Sequence, residues 1–199
     1  MVAAFVALLA LGGCDGDVPG AAPTGPAPVS TGVGSTPSSA VERSYRAVDL
    51  DLCARTSLEP LADLALTVTR TDPKPPVGRP GAACLFEMRT KAGYAANLRV
   101  EASTPATVDE ARRLYRGTQQ ATGMTAVGSI TDVGDEAEAF TKQSTPGFKY
   151  AEHMVHARSG NLVVKVWLAV GGESYAPTSS LAAKSLAILR ATQEAVPTA

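Results

Sequence analysis

A stretch of 26 residues near the N-terminus limits how much of this chain can fold. Between residues 15 and 40, 21 of the 26 residues are Gly, Ala, Pro, Ser or Thr, and none is aromatic or a long aliphatic residue. Such a segment cannot bury enough apolar surface to offset the entropy lost when its backbone is ordered. We therefore predict a disordered tether over residues 14–40, with a reach of roughly 30 Å, and one folded unit over residues 41–199.

An uninterrupted apolar run at residues 2–11 precedes the tether. It is too short to span the roughly 30 Å of hydrocarbon in a bilayer and is typical of a signal-peptide core. The sequence Leu-Gly-Gly-Cys at 11–14 resembles the lipobox of bacterial lipoproteins. This resemblance implies that residues 1–13 are a signal peptide and that Cys14 carries a lipid such as palmitate, which anchors the chain on the extracytoplasmic side of the cell membrane. The alternative is an ordinary buried helix with a chance cysteine.

The charge balance and the few histidines and cysteines narrow the classes of function. The chain has 18 Lys and Arg against 19 Asp and Glu, so no strong field attracts nucleic acid. Two His and three Cys leave few ways to build a metal site or a catalytic dyad. Common catalytic motifs such as Gly-x-Ser-x-Gly are missing from the sequence. We expect no nucleic-acid partner, no cofactor, no metal and no enzymatic activity.

The pattern of apolar residues after residue 41 predicts mostly strands, with helices at three places. A short helix is expected near 57–61, a second helix over 107–122 and a third over 179–192. The expected strands cover residues 83–89, 94–102, 124–130, 138–142, 150–158 and 162–170. This order predicts an α+β fold in which a largely antiparallel sheet is flanked by helices.

Cys53 and Cys84 are the two cysteines that remain once Cys14 is assigned to a lipid. Because oxidation is normal outside the cytoplasm, we predict that they form a disulfide. Closing a loop with this separation of 31 residues stabilises a fold by roughly 3 to 4 kcal/mol. The alternative is a redox-active pair, which the missing Cys-x-x-Cys spacing disfavours.

Short motifs around these cysteines resemble a known family. Cys53 at the head of a short helix, Cys84 followed two residues later by Phe86, and Gly-Asp-Glu-Ala at 134–137 are similar to the actinobacterial lipoproteins grouped as domain of unknown function 3558. The similarity covers roughly residue 49 to the C-terminus, although the family prefers Trp at the position of Phe86. It implies a cell-envelope lipoprotein of no established activity and, by analogy, a fold like that of the photosystem-associated PsbP proteins.

Three groups of polar residues are candidate sites that also have simpler explanations. One acidic group either binds Ca²⁺ or forms a solvated turn: Asp132, Asp135, Glu136 and Glu138. One basic group either contacts phospholipid headgroups or forms a solvated helix face: Arg112, Arg113 and Arg116. His153 and His156 are three residues apart in a predicted strand, so their side chains point to opposite faces and cannot share a metal ion.

A two-residue turn at Ser159 and Gly160 is predicted to join the last two strands. This turn places Ala157 opposite Leu162 and puts both on the core face of the hairpin. Moving the turn by one residue shifts every partner by two but keeps the same residues on each face.

The other face of this hairpin is too apolar for open solvent. Apart from Ala169, its apolar and aromatic members are our candidate binding residues: Tyr150, Met154, His156, Val163 and Trp167. Only Glu152 and Lys165 contribute charge among them in this prediction. Either a helix or the N-terminal segment covers this face, or it forms a binding surface with Trp167 as its anchor.

Three classes of function follow from these observations. The first is a non-catalytic binding module for an apolar small molecule, a lipid or an envelope protein. The second is a structural or adaptor lipoprotein without a ligand, and the third is an enzyme of unrecognised class. A deep apolar pocket, a flat apolar patch or a cleft with clustered titratable groups would distinguish them.

Overall fold

Residues 43–76 and 79–199 are described by the computed structural model, and within them seven strands form one sheet. The strands are β1 (Thr67–Pro73), β2 (Gly81–Arg89), β3 (Ala95–Ser103), β4 (Thr125–Ser129), β5 (Glu136–Ser144), β6 (Lys149–Ser159) and β7 (Leu162–Gly172). The helices are α1 (Leu52–Arg55), a 3₁₀ helix (Glu59–Leu64), α2 (Val108–Ala121) and α3 (Thr178–Ala195). Every neighbouring pair in the order β1-β2-β3-β7-β6-β5-β4 is antiparallel. The predicted α+β fold is confirmed.

One face of the sheet carries the main core. Side chains alternate along β3, so Leu98 and Val100 share a face and are fully buried there. Helix α3 lies against this face through Leu181, Ile188 and Leu189. Each such side chain stabilises the fold by roughly 1.5–3 kcal/mol through burial. We call this side of the sheet the α3 face and the opposite side the α2 face.

Helix α2 lies close to its predicted bounds, and side chains cap its N-terminus. The hydroxyl of Thr107 accepts a hydrogen bond from the backbone N–H of Glu110, and the Glu110 carboxylate accepts one from the N–H of Thr107. Only Ala111 and Tyr115 of this helix are buried, with Leu114 partly buried beside them. A narrow apolar stripe therefore holds α2 on the sheet.

Two elements at the N-terminal end of the fold differ from the sequence prediction. Strand β1 is exposed along nearly its whole length, so it lacks the alternation of buried residues seen in the central strands, and its order comes from pairing with β2. The helix expected near 57–61 is a 3₁₀ helix at Glu59–Leu64, and the short helix α1 precedes it.

The turn between β6 and β7 lies one residue later than predicted. Ser159 pairs with Leu162, so the turn residues are Gly160 and Asn161, and Ala157 faces Val164 instead of Leu162. Gly160 has a positive φ of 54°, and a Cβ there would lie 2.1 Å from the backbone oxygen of Arg43. The close approach of the N-terminal segment thus requires glycine at this turn position.

The predicted disulfide between Cys53 and Cys84 is present. Their Cα atoms are 5.1 Å apart, and Cys84 is fully buried in the core on β2. The bond therefore ties the short helix α1, which has few contacts of its own, to the α3 face.

The first and last described segments are bound to each other. Tyr45 and Thr198 form an isolated antiparallel bridge, and Arg46 donates its backbone N–H to the carbonyl of Pro197 at 3.0 Å. The side chain of Asn161 accepts from the N–H of Tyr45 at 2.7 Å and donates to its carbonyl at 3.1 Å. The chain therefore enters the fold beside the turn between β6 and β7.

Candidate functional site

The five side chains predicted to form a binding face all lie on the α2 face. Met154 of β6 lies opposite Trp167 of β7, and Tyr150 lies opposite Gly171. Because side chains alternate along a strand, His156 and Val163 lie on the same face as these residues. The error in the turn position leaves this face unchanged, since the partners shifted by two.

Helix α2 divides this face into a covered part and an open part. Met154, His156 and Val163 are at most 5% exposed, whereas Trp167 and Tyr150 are partly exposed. A helix therefore covers the apolar residues nearest to the turn, and the aromatic residues farther along the strands stay accessible.

His156 occupies an unusual position in the covered part. Its imidazole is fully buried between the ring of Tyr115, with centroids 4.2 Å apart, and the edge of Phe140, at 5.4 Å. Neither ring nitrogen has a hydrogen-bond partner among the described residues. Burial, together with the nearby positive charge of Lys165, lowers the pKa of His156 to about 4. The ring is therefore neutral at physiological pH.

Tyr115 shares this environment. Burial, with the negative charge of Glu138 as a further cause, raises the pKa of the Tyr115 phenol to about 12. The carboxylate of Glu138 on β5 accepts a hydrogen bond from the side chain of Gln119, which lies on α2 like Tyr115. This bond and the stacked rings of Tyr115 and His156 are the main specific contacts that hold α2 on β5 and β6.

The open part of the α2 face centres on Trp167. Its indole N–H donates to the carboxylate of Glu152 at 3.1 Å, and the amide of Asn97 donates to the hydroxyl of Tyr150 at 3.0 Å. Arg99 lies directly opposite Trp167 on β3. We call these residues the Trp167 surface: Asn97, Arg99, Tyr150, Glu152 and Trp167. It combines two aromatic rings with donors and acceptors that are already oriented by hydrogen bonds.

A charged group borders this surface on the side of the turn. Glu101 is buried on β3 and forms ion pairs with Arg99 and, at 2.7 Å, with Lys165 of β7. Burial alone would raise the pKa of Glu101, but the charge and hydrogen bond of Lys165 and those of Arg99 outweigh it and lower that pKa. Glu101 is therefore ionised and holds the two cations in place beside Trp167.

Two open grooves run along α2. One, of about 380 Å³, lies between the helix and the sheet and is lined by Arg79, Leu114, Gly117, Thr118, Ala121, Thr122, Met154 and Lys165. The other, of about 370 Å³, lies at the start of the helix and is lined by Arg79, Pro80, Pro105, Ala106, Glu110, Arg113 and Leu114. Both volumes fall within the range of small-molecule sites. Both grooves combine apolar walls with cationic side chains.

A cluster of aromatic rings lies at the far end of the open face. The ring of Phe148 is 5.5 Å from that of Tyr94 and 5.9 Å from that of Tyr150. A Cβ at Gly171 would lie 2.6 Å from the Phe148 ring, so glycine at this position lets the ring lie close to the sheet. The aromatic character of the face thus extends beyond the Trp167 surface.

Two members of the acidic group around the start of β5, Asp135 and Glu136, have a structural role. The buried guanidinium of Arg158 donates to Asp135 at 2.8 Å and to Glu136 at 2.7 Å. Asp135 also accepts from the backbone N–H of Gly160 at 2.9 Å. Within the described residues no group of three or more His, Cys, Asp or Glu side chains is placed to hold a metal ion.

The two histidines lie on opposite faces of β6, as alternation predicts. His153 faces α3, where its Nδ1 is 2.7 Å from the hydroxyl of Ser185. Burial lowers the pKa of His153 as well. The two imidazoles are therefore separate structural features on either side of the sheet.

The proposed lipid attachment site Cys14 lies outside the described residues. Among the helices that are described, none is both long enough and apolar enough to cross a membrane.

No protein-family model matches the chain, and no similar curated protein or solved structure was found.

Several residues of the site are absent from the sequence-based candidates: Arg79, Asn97, Arg99, Glu101 and Leu114. The alternation along β3 already places Asn97, Arg99 and Glu101 on one polar face. Their relation to Trp167 depends on the pairing of β3 with β7, two strands that are far apart in sequence. The position of Arg79 depends on the loop before β2, for which the sequence contains no comparable signal.

Proposed function

We propose that the chain is a lipoprotein anchored through Cys14 on the extracytoplasmic side of the cell membrane, and that its folded unit is a non-catalytic binding module. Its ligand is a lipid or another amphiphilic small molecule, bound on the Trp167 surface and in the adjoining groove beside α2. The sequence features that support the anchor are the apolar run, the lipobox-like sequence and the tether composition.

The observation that carries the binding proposal is the way Trp167 is held. Its indole is partly exposed, yet the hydrogen bond to Glu152 fixes its orientation. A ring that is already ordered loses little further entropy when a ligand packs against it. The adjoining groove supplies apolar contacts from Leu114 and Met154 and a cation from Lys165. This combination favours a ligand with both an apolar and an anionic part over a purely apolar one.

Fluorescence offers a direct test because Trp167 is the only tryptophan in the chain. We expect lipids extracted from the host's own envelope to shift and saturate its emission. Native mass spectrometry of the protein purified from that envelope should show a bound mass that organic extraction removes. An unaltered emission in every lipid fraction, together with a protein mass free of adducts, would contradict the binding proposal.

The anchor has a separate test. The intact mass of the membrane-extracted protein should correspond to a chain that begins at Cys14 and carries acyl groups. Cys14→Ser should abolish the acyl mass and leave residues 1–13 attached. A wild-type protein without acyl mass would remove the lipoprotein part of the proposal and leave the binding part standing.

A further inference from the structure

Three of the four arginines on and beside α2 lack acidic partners in the described part of the chain. Arg112 is paired with Asp109 at 3.1 Å, and the Glu110 carboxylate is engaged by the backbone of Thr107. Two other arginines of α2 and one in the loop before β2 are exposed and form neither ion pairs nor side-chain hydrogen bonds with described residues: Arg113, Arg116 and Arg79. We call these three the arginine surface. Its positive charge is not neutralised by an ion pair with any described side chain.

The arginine surface borders a groove whose lining suits a phosphate-bearing molecule. Arg79 and Arg113 both line the groove of about 370 Å³ at the start of α2. Its remaining walls include Pro80, Pro105 and Leu114, with Glu110 as the one acidic member. Guanidinium groups bind phosphate oxygens through paired hydrogen bonds, and the apolar walls suit the glycerol and upper acyl portion of a phospholipid.

The place where the chain enters the fold lies next to this groove. The side chain of Asn161 donates to the carbonyl of Tyr45 at 3.1 Å and to the carbonyl of Pro105 at 3.0 Å. One residue thus links the segment that follows the tether to a groove wall. A domain attached at this point has the arginine surface at the end of the fold from which its tether leaves.

We infer that the arginine surface docks onto the anionic phospholipid headgroups of the membrane in which the chain is anchored. This inference rests on the proposed lipid anchor. Docking places the grooves beside α2 at the headgroup level, where a lipid can pass from the bilayer to the Trp167 surface. Each arginine near an anionic bilayer contributes attraction equivalent to about a fivefold change in the docking equilibrium.

Energy transfer from Trp167 to a dansyl-labelled headgroup lipid measures this docking, because Trp167 lies on the same side of the sheet as α2. The acylated full chain is reconstituted into phosphatidylcholine vesicles with and without phosphatidylglycerol. We expect higher transfer with phosphatidylglycerol, and a loss of that increase at about 1 M salt, where the screening length falls to about 3 Å. Arg113→Glu with Arg116→Glu should lower the ratio of docked to undocked protein by about 25-fold or more.

The single variant Arg116→Glu should lower this ratio by about fivefold or more, and Arg190→Glu is its matched control. Arg190 is an exposed arginine on α3, which lies against the opposite face of the sheet, so its reversal changes the net charge equally. Equal energy transfer in both kinds of vesicle would overturn the docking inference. So would a loss of transfer in Arg190→Glu as large as the loss in Arg116→Glu. Flotation with the vesicles separates the two proposals, because a protein that floats without transfer is anchored but not docked, and one that fails to float has no anchor.

Discussion

The phenol ring of Tyr115 lies nearly parallel to the imidazole of His156, with 17° between their planes and 4.2 Å between their centroids. This contact joins α2 to the sheet at a residue whose two ring nitrogens are buried without hydrogen-bond partners in the part of the chain that the structure describes. Leaving such groups unpaired costs about 1–3 kcal/mol. A charged imidazolium buried without a partner would cost more still. The attachment of α2 therefore depends on the imidazole staying neutral.

The first prediction concerns the pH dependence of stability. The folded pKa of His156, about 4, lies below its ordinary value of 6.5, so the unfolded chain binds a proton more readily. The stability that depends on a neutral His156 is fully present above about pH 6.5. It is lost as the pH falls from there through about 4, and the total loss in the free energy of unfolding is about 3 kcal/mol. His156→Phe should remove this part of the pH dependence in denaturant unfolding at about pH 4.5 and about pH 7.5.

Burial also lowers the pKa of His153. Because the wild type and His156→Phe both contain His153, its contribution to the pH dependence cancels when their stabilities are compared. Parallel stability profiles for the wild type and His156→Phe would contradict the prediction.

The second prediction separates binding from stability at Trp167. Because the indole is only partly buried, we expect Trp167→Ala to lower the free energy of unfolding by about 1–2 kcal/mol, less than the 3–5 typical of a buried aromatic residue. Ligand capture, followed by native mass spectrometry, should be lost. Val155→Ala is a control on the opposite face of β6, where we expect reduced stability and unchanged capture. A large stability loss in Trp167→Ala with normal capture by the folded fraction would argue for a purely structural role.

The third prediction concerns the disulfide. Cys84→Ala frees Cys53 and opens the loop that the bond closes, which should cost about 3 to 4 kcal/mol and lower the melting temperature by about 10 °C. Circular dichroism melting of the oxidised, reduced and substituted proteins provides the measurement. The reduced wild type should resemble the variant, and identical melting of all three would show that the bond adds nothing to stability.

The fourth prediction uses a pair of glycines that share a backbone conformation. Gly134 has a φ of 71° and Gly147 a φ of 86°, so alanine is strained at either position. A Cβ at Gly134 would also lie 2.5 Å from the carbonyl oxygen of Arg158, whereas nothing lies within 4 Å at Gly147. We expect Gly147→Ala to cost about 1–2 kcal/mol and Gly134→Ala about 2–4 kcal/mol in denaturant unfolding. Equal costs would mean that the loop at Gly134 yields without disturbing Arg158.

The division of the hairpin into two faces followed from alternation alone. Side chains repeat every two residues in a strand, so His153 and His156 had to separate whatever the register. The turn position did not follow from the sequence, because both Ser159-Gly160 and Gly160-Asn161 suit a tight turn. The close approach of Arg43 to Gly160 arises from tertiary structure and selects the second.

The site itself could be predicted only in part. The apolar pattern of α2 shows which of its sides is buried, but not that Tyr115 meets His156. Trp167 has neighbours on β3 as well as on β6, and the pairing of β3 with β7, strands so far apart in sequence, leaves no local trace. Strand β1 was missed for a different reason, since its polar residues are ordered by hydrogen bonds to β2 and not by burial.

The bridge between Tyr45 and Thr198 joins the segment that enters the fold to residues 197–199, which has a mechanical consequence under the proposed anchor. A pull from the proposed anchor at Cys14 would have to break the hydrogen bonds that join residues 44–46 to residues 197–199, and those between Tyr45 and Asn161, before it disturbed the strands of the sheet. Once those bonds open, the released residues would lengthen the proposed connection to the membrane while the disulfide and α3 still hold the core. Under the proposed lipid anchor, residues 197–199 would therefore act as a mechanical latch that limits how far the domain stands from the membrane surface.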